Sequence, residues 1–172
     1  MERLAYETRA RVERSRHVST ATLRGARAVA IVCAVLFFVP TVLSFVYPNA
    51  FLYTPHQLVY ERMLGAVLAA LALSLLLSMR DPVRNAGVYA VVGLVAGTVD
   101  ASAIYSLIVD GGDIAHWFVQ VPLLAAIATL LVVTYARLRR PHPFVVRAVI
   151  AAVVLLPLAL FAHDAAYRAF VR

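Results

Sequence analysis

Lysine is absent from the chain: all sixteen basic residues are arginine, set against nine acids for a formal charge of +7. A basic nucleic-acid binder needs its arginines clustered on a soluble face, with groove-reading or stacking residues nearby. Here they flank apolar segments of lipid-spanning length, so positive-inside bias accounts for them. Cysteine is almost absent as well. The single Cys33 excludes an internal disulfide, a CxxC pair and a multi-cysteine zinc site, and its place in the first apolar block makes it a small buried hydrophobe. Charge is scarce at 15%, where ordinary globular domains carry about 25%, which excludes a soluble globular domain. The 63% hydrophobic content excludes disorder. Catalytic signatures are missing too: the sequence has no GxSxG, HExxH, P-loop or dinucleotide glycine fingerprint. Serines inside the apolar blocks, such as Ser74 and Ser102, have no histidine at similar depth to activate them, and no histidine lies deep enough to hold a heme between helices.

What the sequence does contain is five apolar blocks. Residues 1–27 form an arginine-rich arm in which Glu7 and Arg11, and Arg9 and Glu13, have the i,i+4 spacing of a surface helix. Apolar runs over 28–47, 61–79, 86–109, 116–136 and 144–162 each approach the roughly 20 residues that one membrane crossing requires. The first is too long for a signal-peptide core of about 7–15 residues, so it is read as a retained span. The connection 47–60 holds prolines and tyrosines, Arg80-Asp81-Pro82 closes the second span, and Asp110-Gly111-Gly112-Asp113 closes the third. Strict alternation over ten-residue segments, the mark of an outer-membrane barrel, is missing. The expectation is an all-α polytopic membrane bundle of five transmembrane helices, a four-helix core plus a C-terminal helix, with residues 163–172 as a short tail. With the N-terminus inside, thirteen of the sixteen arginines fall on inner segments and only Arg62, Arg168 and Arg172 lie outside. The expected location is therefore a bacterial plasma membrane, with the N-terminus cytoplasmic.

Asp100 is the most informative single residue, because a carboxylate near the bilayer centre costs about 2.5–3.5 kcal/mol on insertion scales and marks a functional site by default. Gly93 and Gly97 form a GxxxG step that Ala101 continues, and Asp100 lies on an adjoining part of that surface, so its face is expected to pack against protein. Asp100 reads either as a proton-accepting or cation-binding carboxylate, with Tyr105, Thr41, Gln120 or Thr98 as partners by depth, or as an aspartate that fastens two helices. Pro40, Pro122 and Pro157 fall in the outer halves of three spans, where proline frees a carbonyl and kinks the helix. At the outer surface His56, His116 and His163 stand with Glu61, Asp110, Asp113 and Asp164, a set with the chemistry to hold zinc or copper but with no ligand pair at i,i+3 or i,i+4. His163 and Asp164 are adjacent and point apart on a helix.

Tyr60-Glu61-Arg62-Met63-Leu64-Gly65 opening a span, Arg80-Asp81-Pro82 at its end, and His116 followed by Val121-Pro122-Leu123-Leu124 resemble small bacterial multi-span proteins of the BphX-like and related domain-of-unknown-function families. The resemblance covers about half the chain, over 60–141. It implies a four-helix core with an extra C-terminal helix here and histidine in the family where this chain has Asp100, and it points to no known activity. Taken together, the sequence predicts a non-enzymatic interaction or accessory subunit, without cofactor, whose partners are the bilayer, a membrane protein or a second copy of itself. The alternatives are a small carrier or proton-coupled permease using Asp100, and an outer-face metal or redox accessory protein.

Overall fold

The computed structural model describes residues 18–47, 49, 51, 57–109, 114–141 and 143–170. The helix expected within 1–17, His56 and the Asp110–Asp113 turn lie outside the described residues. The described chain is all-helical, and five helices are long and apolar enough to cross a membrane. They are α1 (Thr20–Val46), α2 (Leu58–Ser78), α3 (Ala86–Val109), α4 (Val121–Leu138, entered through a π-turn at His116–Gln120) and α5 (Pro143–Phe170).

Helix α1 starts eight residues before the expected span because Ser19 caps it, its Oγ accepting from the Thr22 amide at 3.1 Å. At 27 residues it is about 40 Å long and overreaches the roughly 30 Å hydrocarbon core. Helix α5 likewise runs on to Phe170 through the residues expected as a tail, since nothing from His163 onward breaks it. Pro143 opens α5 at a position where a missing amide costs nothing.

The helices pair as two hairpins, α1 with α2 and α3 with α4, joined through α1–α4 and α2–α3 contacts; α5 packs on the outside of α3. One end of the bundle, where Arg27 and Arg137 lie, is tied tightly. Arg27 Nε donates to the Met79 carbonyl at 3.1 Å, satisfying a terminal carbonyl of α2, and Tyr89 Oη donates to the Ala26 carbonyl at 3.3 Å. Asp81 Oδ1 accepts from the Arg84 amide in the turn that leads into α3. The close-packed core, built on Ala30, Cys33, Ala72, Leu75, Tyr89 and Leu131, occupies this arginine end and the middle of the bundle. The outward faces, such as Val32, Val35, Val39 and Val42 of α1, are exposed, as a lipid-facing surface requires.

The π-turn follows from Pro122. That residue has no amide to donate to the carbonyl four residues back, and its ring would collide with it. The backbone widens by one residue, and the Val121 amide bonds the His116 carbonyl instead. Pro122 thus sits directly after the π-turn, at the start of α4, and Pro40 and Pro157 lie inside α1 and α5.

Candidate functional site

The buried stripe of α3 is Ala86, Tyr89, Val92, Gly93, Ala96 and Asp100, spaced as one face of a helix. As expected from the sequence, the face carrying Asp100 packs against protein. A methyl group on Gly93 would stand 3.1 Å from Leu131 Cβ, 3.2 Å from Val132 Cγ2 and 3.4 Å from the Ala128 carbonyl. One on Gly97 would stand 3.7 Å from Ala128 Cβ. Gly93 therefore lets α3 and α4 touch, as small residues do at membrane helix contacts, and the glycine step is a seam inside this chain. The same antiparallel register sets Asp100 level with Leu124. Ala101 is half-buried beside the stripe.

Asp100 is 7% exposed, and its Oδ1 has no hydrogen-bond partner. The partners expected for it are engaged elsewhere or stand apart. Tyr105 Oη donates to Asp164 Oδ2 on α5 at 2.8 Å. Thr41 Oγ1 donates to the Phe37 carbonyl at 2.9 Å and the Gly65 carbonyl at 3.0 Å. Thr98 Oγ1 bonds the Val95 carbonyl of its own helix. Gln120 closes the π-turn and lines a cavity of about 370 Å³ between the two hairpins, together with Phe37, Pro40, Leu68, Val99 and Leu124. Asp100 itself does not line that cavity; its chain neighbour Val99 does.

The two described histidines, His116 and His163, have different partners. His116, 7% exposed, donates from Nε2 to the Phe51 carbonyl at 3.1 Å, and the Phe51 amide donates to Glu61 Oε1 at 3.3 Å. The Asn49 amide donates to Glu61 Oε2 at 3.1 Å, with Asn49 itself in the left-handed region at φ 58°. Glu61 and His116 therefore grip the connection after α1 from two sides. His163 Nδ1 lies 3.3 Å from Asp164 Oδ1, so the two adjacent side chains meet and do not point apart, and the His163 ring stacks on Tyr167 one turn on. Among the described residues no three histidines, cysteines or acids form a group that could hold a metal ion.

No family model, curated protein or solved structure matches this chain. Its function therefore has to be read from its own residues. Three of those that matter were missed in the sequence. Gly65 lets α1 approach α2 so closely that a methyl group there would collide with Ser44 Oγ, and an isolated glycine inside an apolar run was the available signal. Glu61 was read only as an outer acid, and its role as a backbone acceptor depends on a loop conformation. Asp164 was read as a tail residue, and only the continuation of α5 brings it to Tyr105.

Proposed function

We propose that this five-helix membrane protein, lying in a bacterial plasma membrane with its N-terminus cytoplasmic, is a small carrier that takes up a proton or a small cation at Asp100. The observation that carries the reading is the unpartnered Oδ1 of a carboxyl group buried within the membrane-spanning part of α3. An aspartate serving only to fasten helices would hydrogen-bond across them, and Oδ1 does not. A buried polar atom left without a partner in a folded protein calls for a water, an ion or a chemical role, and inside lipid the cost of a charge selects for the last two. The cavity between the hairpins supports the reading by leaving space next to Val99, the chain neighbour of Asp100. The clustering of Arg27, Arg80, Arg84, Arg137, Arg139 and Arg140 at one end of the bundle supports the orientation.

The test is flux into vesicles that contain the purified protein and a trapped pH dye, driven by an imposed potassium-diffusion potential and repeated with sodium outside. Wild-type and Asp100→Glu protein should acidify or load the lumen. Asp100→Asn should fall to the level of protein-free vesicles. Flux that is equal in wild type and Asp100→Asn would sink the mechanism.

The other reading, an interaction or accessory subunit, no longer has the glycine face to rest on, because Gly93 is consumed inside the chain. It is favoured by α5 alone, where none of the described side chains is buried. Cysteines placed at the exposed positions Leu155 and Leu158 should crosslink between copies in native membranes on this reading, and an absence of crosslinks at both would remove self-association through α5.

A further inference from the structure

Near the end of the bundle away from Arg27, α3 and α5 part around a cavity of about 470 Å³. Its walls are apolar where Val109 and Phe161 stand, and its polar groups are Tyr105, Asp164 and Arg168. Asp164 and Arg168 are four residues apart, hence one turn apart on the same face of α5. They nevertheless form no ion pair with each other: the ion-pair partner of Asp164 is His163. Two opposite charges thus line one cavity without a direct ion pair between them. Asp164 uses one lone pair on each oxygen, toward Tyr105 and toward His163, and a carboxylate offers about four such sites, so each oxygen keeps one. The Arg168 guanidinium presents five N–H donors in the fork geometry that suits phosphate.

We propose that this cavity seats a phospholipid whose headgroup carries both a primary ammonium and a phosphate, as phosphatidylethanolamine does. The ammonium donates to the free lone pairs of Asp164 and the phosphate lies on Arg168, beside the apolar wall of Phe161 and Val109. Charge complementarity selects this occupant. An anionic headgroup would satisfy Arg168 and meet Asp164 with like charge, whereas a choline headgroup keeps both charges but has no N–H to donate. The position near the end of a membrane-length helix is where headgroups lie. Tyr105, with an apolar ring and a polar tip, suits that depth. The inference is independent of the role of Asp100.

The test uses the full chain in mild detergent, delipidated and then titrated with lipids of identical acyl chains, with retained lipid counted by native mass spectrometry. In wild type, retention should fall along the series from phosphatidylethanolamine through its monomethyl and dimethyl derivatives to phosphatidylcholine, as each N–H is removed, and phosphatidylglycerol should bind more weakly than phosphatidylethanolamine. A flat methylation series, or phosphatidylglycerol bound as well as or better than phosphatidylethanolamine, would overturn the proposal without need of any variant. Asp164→Asn should erase the preference for phosphatidylethanolamine over phosphatidylglycerol. Arg168→Gln should lower retention of all the phospholipids, and Arg62→Gln, the same change on another helix, should leave the wild-type order intact. Persistence of the headgroup preference in Asp164→Asn would also overturn it.

Discussion

The α3–α4 and α3–α5 contacts share one helix and are built on opposite terms. On the α4 side Gly93 brings two backbones together, Leu131 is fully buried, and the facing side chains of Leu131 and Val132 would have to shift to admit a methyl group on Gly93. On the α5 side no described side chain of the partner helix is buried, and the contact near its end runs through one tyrosine–aspartate hydrogen bond beside a cavity. Both α4 and α5 are apolar enough to cross a membrane. Apolarity therefore says that a helix enters the bilayer and says nothing about what it touches there, because lipid tails are as apolar as leucine. Small residues at one-turn spacing carry the information about protein contact.

The largest effect that would break this contrast is on size. Gly93→Leu should destabilise the bundle by about 1–3 kcal/mol, the usual range for an overpacked contact, read as a lower unfolding midpoint in mild detergent. Ala165→Leu, which enters the α5 cavity, should stay within about 0.5 kcal/mol of wild type, as surface substitutions do, while displacing bound phospholipid. Equal losses at the two positions would show that α5 is packed as tightly as α4.

A smaller effect should come from the two tyrosines of α3. Tyr89 is fully buried and bonds the Ala26 carbonyl of α1, so Tyr89→Phe should cost about 0.6 kcal/mol, the mean for a hydrogen bond between membrane helices. Tyr105→Phe should leave the unfolding midpoint of the four-helix core unchanged and speed hydrogen exchange in α5 alone. A shift of the whole transition by Tyr105→Phe would mean that α5 belongs to the cooperative core.

The smallest perturbation is chemical labelling. Cys33 is fully buried and should resist a membrane-permeant maleimide until the bundle unfolds, whereas a cysteine introduced at Ala169, in the α5 groove, should react at once. Rapid labelling of Cys33 in the folded protein would place a path to the core where the structure has none.

The five helices were legible because each apolar run is close to a bilayer in length, and the Gly93–Gly97 seam was legible because only small residues permit such an approach. Of the four partners expected for Asp100, helix geometry alone separates one from it. Tyr105 is five residues on, about 140° around a helix with 3.6 residues per turn, so the two side chains leave α3 on different faces. The grip of Glu61 on the Asn49 and Phe51 amides was not legible in the same way. It depends on a left-handed residue at Asn49, and nothing in a linear pattern states which distant carboxylate a loop amide will find. Ser19 shows the intermediate case: a serine before a helical run is a cap signal, but the polar residues that follow it hid the first two turns of α1 from a reading based on apolarity.

The π-turn at His116–Gln120 has a consequence for the phase of the chain around it. One surplus residue in a helix rotates everything before it by about 100° relative to everything after it, so the face shown by His116 is offset from the face that Val121 onward turns toward α3. Excising a single residue from within Phe118–Val119, together with Pro122→Ala to remove the ring that forces the bulge, would return the segment to an ordinary helical pitch and swing the imidazole away from Phe51 while leaving every contact of α4 with Gly93 in register. The bulge works as a phase shifter, letting one continuous rod keep a tight seam along its length and a separately aimed hook at its tip.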